Sequence, residues 1–259
     1  MDQNEASRYA ETLHRARATR RPRPPLTADR PLSVDDAYLI QSEFVSLLQR
    51  DGDEIAGYKL GLTSRPMQDL FGVKEPDYGP ILRSMVHSDG AAIESGRFIQ
   101  PRIEAEIAVV LGADLRGPNV TAADATKAVR GAVTALEIID SRIEDWKITL
   151  PDTVADLAST GAVVLADRPV PVEDFDLRLV GLVLERSGDL MATGAGAAAL
   201  GSPYNALAWL ANTLSAYDVT LPEGCFVMTG ALHAAFPIAA GDRIHAEADR
   251  LGPVSVVIC

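Results

Sequence analysis

The stretch PRIEAEIAVVL, residues 101–111, decides how this chain is read. Ile103, Ala105, Ile107, Val109 and Val110 form an apolar, largely β-branched run, which marks a strand. In a strand, residues two apart share a face, so Glu104 and Glu106 lie side by side. An E-x-E pair often stands on a solvated face, and the spacing alone leaves that reading open. In a strand this well covered by apolar neighbours, two carboxylates repel and lose hydration unless they are protonated or paired with cations.

Outward from this strand, VTALEIID (133–140) places Glu137 in the middle of another apolar strand, where an unpaired carboxylate is again costly. A third carboxylate beside Glu104 and Glu106 would make an all-oxygen site without His or Cys. Hard divalent cations such as Mg²⁺ or Mn²⁺ prefer such donors. Upstream, GYKLGLT (57–63) holds Lys59, one of only four lysines (Lys59, Lys74, Lys127, Lys147). At an apolar, glycine-flanked strand end it can serve as a counter-ion to a glutamate or as an acid/base.

The remaining pattern predicts an α+β protein. A weakly amphipathic helix around Tyr9–Leu13 precedes a basic, proline-rich stretch (17–31), which reads as a solvated linker or a docking arm for an acidic partner. Ser33, with Asp36 three residues on, caps a helix whose face carries Ala37, Ile40, Phe44, Leu47 and Leu48. Strands are expected at 55–63, 103–115 and 133–140, and short helices at 64–72 and 120–132. EPDYGPIL (75–82) reads as a punctuated loop. A hairpin turning at Ser187-Gly188, a helix from Ser202-Pro203, and a closing strand pair turning at Leu251-Gly252 fill the C-terminal half. Strands outnumber helices without regular alternation, which favours a mixed sheet over a doubly wound one.

Composition narrows the function. The 259 residues carry 24 Lys+Arg against 36 Asp+Glu, a net charge of −12, which argues against nonspecific nucleic-acid binding. No apolar run is long enough for a membrane helix, and the acidic N-terminus resembles no targeting signal, so a cytoplasmic protein is expected. Cys225 and Cys259 make neither a disulfide framework nor a zinc cluster. GAGAAALG (194–201) lacks the acidic residue and helix placement of a dinucleotide fingerprint, and no GxSxG elbow is present. The four histidines are scattered; His233, after a tight turn, is a candidate pocket residue.

Taken in order, GYKLGLTS (57–64), FGVKEPDYG (71–79), QPRIEAEIAVVL (100–111), ALEIIDSRIEDWKI (135–148), DTVADLAS (152–159), LGSPYNALAWLA (200–211) and VMTGAL (227–232) resemble a known family. It is that of the 2-hydroxypentadienoate (2-keto-4-pentenoate) hydratases and related 4-oxalocrotonate decarboxylases, in the fumarylacetoacetate hydrolase superfamily. The resemblance spans about residues 33–259. It implies a helical N-terminal region and linker (1–54) and a catalytic mixed β-roll (55–259) with a lid loop at 66–85. It further implies Mg²⁺ or Mn²⁺ on Glu104, Glu106 and Glu137, an active-site Lys59, a lid Asp77, and Ser159 in contact with substrate.

The substrate implied is a small 2-oxo or 2-hydroxydienoic acid, and the assembly a homo-oligomer with no nucleic-acid or membrane partner. EPDYG resembles the QPDFG of hydratases, whereas decarboxylases tend to lack that aspartate, so the resemblance favours a hydratase over a decarboxylase. C–C bond hydrolysis would require a lid histidine, and none lies between His14 and His87. A non-catalytic scaffold subunit would have no need of Lys59, Asp77 and three glutamates. Two departures, Leu157 in place of asparagine and His233 in place of glycine, are expected to alter the substrate pocket.

Overall fold

The computed structural model describes residues 1–259, the side chain of Leu70 excepted. In chain order its elements are α1 (Gln3–Thr19), α2 (Val34–Arg50), β1 (Ile55–Gly61), α3 (Arg65–Phe71), β2 (Asp77–Leu82), β3 (Val86–Ser88), β4 (Ala91–Ile93) and β5 (Arg102–Leu111). Then follow α4 (Ala122–Ala128), β6 (Val129–Ile139), α5 (Leu150–Ala155), β7 (Thr160–Leu165), β8 (Gly181–Arg186) and β9 (Asp189–Ala195). The chain closes with α6 (Pro203–Ser215), β10 (Phe226–Met228), β11 (Phe236–Pro237), β12 (Arg243–Ala248) and β13 (Gly252–Ile258).

The strands form two mixed sheets. The larger runs β2-β1-β10-β5-β6-β7-β3, with β11 added to β5, and the smaller runs β4-β13-β12-β8-β9. Both faces of the larger sheet are covered. Ile103, Ala105, Ile107, Val109 and Leu111 of β5 join a core with α6 and the smaller sheet. Ala108 and Val110, on the opposite face, join a second core with α1, α2 and α5. This two-sided burial explains why β5 reads as almost continuously apolar.

The N-terminal helices are built to cover that second face. Asp2 caps α1, which buries Ala6, Ala10, Leu13 and Ala16. Ser33 and Asp36 form a reciprocal capping box on α2, as expected, and Ala37, Ile40, Phe44 and Leu48 are buried while Leu47 is only partly so. Gln41 of α2 is buried because its amide donates to the carbonyls of Tyr78 (3.0 Å) and Val154 (2.7 Å), tying β2 and α5 to the helix.

Three expectations are corrected. EPDYGPIL is no loop: Asp77–Leu82 pairs antiparallel with β1 and is buried throughout, because the proline takes a ladder position at an edge strand. Residues 66–85 thus hold most of α3 and all of β2. The proline-rich stretch is not a solvated linker. Leu26 is fully buried, Arg23 exchanges backbone hydrogen bonds with Arg142 and Glu144, and Thr27 bonds Asp152. The helix expected over 120–132 ends at Ala128, where β6 begins. No helix among the described residues is long and apolar enough to cross a membrane.

Candidate active site

Strand parity gathers the predicted residues on one face of the larger sheet. Glu104 and Glu106 follow the parity of Ala108 and Val110, so they point toward the helical side. Glu137, flanked by Leu136 and Ile138 of the other core, shares that face and stands directly across from Glu104. On β1, Tyr58 and Leu60 enter the opposite core, which turns Lys59 the same way as the glutamates. Lys59 pairs with Gly79 and Gly61 with Asp77, so Asp77 is the diagonal neighbour of Lys59 on that face.

β10 separates β1 from β5 but holds regular pairing only to Met228, opposite Ala108. Residues 229–235 then follow β5 irregularly: Thr229 donates to the Ile107 carbonyl, Leu232 to that of Ala105, and Phe236 resumes pairing at Ile103. Gly230, at φ +112°, sits at the start of this bulge, and its N–H donates to Glu106 Oε2 at 2.8 Å. A side chain there would strike Thr63 and would strain the backbone. Gly61 is required for a different reason: a Cβ would collide with the Asp77 carboxylate.

One oxygen from each of Glu104, Glu106 and Glu137 lies within 4.8 Å of the others. Glu106 and Glu137 are fully buried, while Glu104 keeps some exposure. Glu137 accepts from Thr160 Oγ1 at 3.0 Å and faces Lys59 Nζ at 3.5 Å. Lys59 Nζ also donates to the Ala158 carbonyl at 2.9 Å. Glu106 Oε1 and Asp77 Oδ1 are buried without a hydrogen-bond partner, and Glu137 Oε2 has only the Lys59 ammonium at 3.5 Å. Orphaned carboxylate oxygens of this kind are costly, and an all-oxygen set fits a hard divalent cation. The donors therefore suit a metal ion.

The electrostatics follow from this crowding. Burial, then the charge of Glu137, pushes the Glu104 carboxyl up to about 7. Burial, Glu137 and Glu104 together push Glu106 well above the usual carboxylate range. Glu137 and Asp77 are also raised by burial, against the opposing pull of Lys59. Burial would lower Lys59, but Glu137, Asp77, Glu104 and Glu106 outweigh it and keep the ammonium charged. A bound cation would relieve the carboxylate repulsion and weaken the lysine's hold on its proton.

Lys59, Asp77, Glu104 and Ser159 all line one cavity of about 380 Å³. Sequence reasoning missed Arg102 and Trp146 on its wall, where the guanidinium stacks on the indole at 4.5 Å. Arg102 lies two residues before Glu104, and that period-two spacing on the strand is the signal the sequence offers for it. Met67, Phe71 and Ile148 add an apolar lining.

Arg142 was missed as well. Buried, it pairs with Asp156 at 2.5 Å, and donates to the carbonyls of Asp140 (2.6 Å), Thr160 (2.7 Å) and Asp156. It clamps the turn in which Leu157, Ala158 and Ser159 all take left-handed backbone, with φ +56°, +48° and +60°. Such a run costs of order 1–3 kcal/mol per residue and persists only where its surroundings impose it. The strained turn aims the Ala158 carbonyl at Lys59 and brings Ser159 to the cavity, its hydroxyl 3.2 Å from that of Thr153.

The two departures divide. His233 lines the cavity as expected, with its Nε2 accepting from the Ala105 N–H at 3.1 Å and its Nδ1 against the Ala234 carbonyl at 2.8 Å. Those contacts require a neutral ring with its proton on Nδ1, in agreement with a pKa lowered by burial. Both nitrogens are engaged by backbone. Leu157, by contrast, is fully buried in the apolar core beneath α1 and α2 and does not line the cavity, which corrects the expectation that it shapes the pocket.

The profile of the family described as "Fumarylacetoacetate (FAA) hydrolase C-terminal" matches residues 72–258. The chain is 39% identical to a 2-hydroxyhexa-2,4-dienoate hydratase of Comamonas testosteroni, over 95% of this chain and 94% of that one. It is 43% identical to a 2-hydroxypent-2,4-dienoate hydratase of Pseudomonas putida, over 85% of this chain and all of that one. Among solved structures, 4-oxalocrotonate decarboxylase from Pseudomonas putida G7, complexed with magnesium and adipate, superposes with a TM-score of 0.97 at 35% identity. That match covers 100% of this chain and 99% of the other.

Proposed function

The chain belongs to the fumarylacetoacetate hydrolase family, and from that premise we propose that it is a metal-dependent hydro-lyase. It adds water to a 2-hydroxy-2,4-dienoate of the 2-keto-4-pentenoate type and yields a 4-hydroxy-2-oxo acid. The observation that carries this reading is the meeting of Glu104, Glu106 and Glu137 with Lys59 and Asp77 on one sheet face, beside a cavity sized for a small acid.

Glu104, Glu106 and Glu137 would hold the cation, with Mg²⁺ the favoured ion. When bound it supplies Lewis-acid stabilisation of the negative charge that develops on substrate oxygen. The reaction needs a proton delivered to the terminal carbon of the dienol, leaving a conjugated ketone, and then a water guided to its β-carbon. Lys59, fixed between the Ala158 carbonyl and Glu137, is positioned to move the first proton. Asp77 presents an unpartnered oxygen and is held toward its protonated form by burial, so it suits holding water or exchanging a proton with it. Ser159 and the Arg102–Trp146 pair orient the acid in the cavity, and the apolar wall excludes bulk water.

A second reading is supported by the likeness to the decarboxylase. Loss of CO₂ from a 2-oxo acid builds up the same enolate-like charge and would use the same residues. Asp77 favours hydration, because a decarboxylation has no water to hold.

The test is a UV assay of freshly generated 2-hydroxypenta-2,4-dienoate with Mg²⁺, product mass recorded, beside a run on 2-oxohex-3-enedioate. Gain of one water on the first substrate, lost with EDTA, is expected. Release of CO₂ from the second alone would replace the hydratase with the decarboxylase.

A further inference from the structure

A second cavity, of about 230 Å³, lies between the end of α1 and the outer side of the Arg142 clamp. That is several times the roughly 30 Å³ that a water occupies in the liquid. Arg17, Arg20, Arg97 and Arg142 all line it, in a protein whose net charge is −12. Arg142 is neutralised by Asp156, and its donors are taken by backbone. The other three guanidinium groups have no carboxylate within ion-pair distance among the described residues, whereas Arg23, Arg30 and Arg178 elsewhere in the chain are each paired with one.

The negative groups nearby are already occupied. Asp140, on the cavity wall, accepts from the N–H groups of Ile99 and Gln100 at 2.7–3.0 Å. Asp53, whose charge reaches Arg17, is bound by the hydroxyl and N–H of Ser84 at 2.5 and 3.1 Å. Arg17 itself is largely enclosed: its Nη2 makes one long bond to Ser84 at 3.5 Å, and its Nη1 is buried with no partner. It also faces the like charges of Arg142 and Arg97, and burial followed by Arg142 pushes it down to about 10. Planar, multi-donor guanidinium groups converging on a small cavity are the arrangement that recognises phosphate and carboxylate.

We infer that this cavity is a binding site for a small dianion, held by Arg17, Arg20 and Arg97. It is separate from the glutamate site, and Thr160 is the wall between them: its carbonyl bonds Arg142 on the cavity side, and its hydroxyl bonds Glu137 on the other. The inference does not depend on the reaction proposed above.

Thermal unfolding of the full-length chain tests it, with inorganic phosphate and succinate as separate probes against sodium chloride of matched ionic strength. At about 10 mM, a probe binding with submillimolar affinity should raise Tm by about 4 °C. A rise with phosphate alone assigns a tetrahedral oxyanion, and one with succinate a dicarboxylate. The rise should persist in Glu106→Gln and vanish in Arg17→Met and in Arg97→Met; the latter alters an exposed residue and leaves the fold undisturbed. No rise with either probe overturns the inference. So does a rise that survives in Arg97→Met, or one that Glu106→Gln removes, which would put the anion at the carboxylates.

Discussion

Glu104 and Glu137 stand directly opposite one another across the β5–β6 ladder, two carboxylates in a position that normally holds an attractive or apolar pair. With Glu106 beside them, the folded chain crowds three carboxyl groups together, a repulsion that Lys59 opposes, that raises the carboxyl pKa values, and that a bound cation would relieve. The structure thus trades stability of the metal-free protein for a site prepared to receive a metal.

This trade gives Glu106→Gln effects of opposite sign. Turnover with Mg²⁺ should fall by more than about 100-fold, since loss even of an outer-shell partner costs 10–100-fold. The EDTA-treated variant should nonetheless melt above the EDTA-treated parent at neutral pH, because Gln replaces a carboxyl that burial, Glu137 and Glu104 force to take up a proton on folding. Unchanged turnover at saturating Mg²⁺ would take Glu106 out of the site.

Lys59→Met separates proton transfer from metal binding. Turnover should drop by roughly 10²–10⁴, the usual worth of a general acid–base group, with a much smaller change in Mg²⁺ affinity by calorimetry. An equal loss in both would make Lys59 a counter-ion to Glu137 alone.

The raised Glu104 carboxyl makes the metal-free protein sensitive to pH. Its folded pKa, about 7, lies above the unfolded value near 4.5, so across that window the folded state binds more protons than the unfolded one. Stability without metal should therefore decline as pH rises from about 4.5 to 7, and Mg²⁺ affinity should strengthen over the same range as protons leave. Tm measured against pH with EDTA and with Mg²⁺ checks this; parallel curves would contradict it.

Arg142→Met strands Asp156 as an unpaired buried carboxylate and releases the left-handed turn at 157–159. Breaking such a pair costs about 3–5 kcal/mol, to be read from urea unfolding. Turnover should fall as well, since the Ala158 carbonyl loses its aim at Lys59, and Arg142→Lys should not restore it because an ammonium cannot reach all four acceptors.

Leu157→Asn should behave as a core substitution. It buries an amide among apolar neighbours and should destabilise by about 2–4 kcal/mol, while leaving the ranking of short and long dienoates unchanged. A shift in that ranking would show that Leu157 reaches the substrate after all.

Much of this protein is local and was therefore open to reading from the sequence. The period-two pattern in 101–111 fixes β5 and puts Glu104 and Glu106 on one face, whatever surrounds the strand. The Ser33–Asp36 box starts α2 by contacts three residues apart. The carboxylates and Lys59 could be picked out because ionisable groups in apolar runs are costly, and cost is visible in composition alone.

What the sequence left undecided depends on which strands become neighbours. EPDYGPIL reads as a loop because proline and glycine punctuate it, yet it becomes a strand once β1 offers it an edge. Leu157 carries no local sign of facing the helices rather than the cavity, since three successive left-handed residues have no periodicity to follow. Arg102, Trp146 and Arg142 are ordinary polar or aromatic residues in sequence and acquire roles only through a wall, a stack and a clamp. Sequence by itself determined which groups are expensive to bury; tertiary structure decided which of them meet, because charge acts through distance and the chain's own order does not measure it.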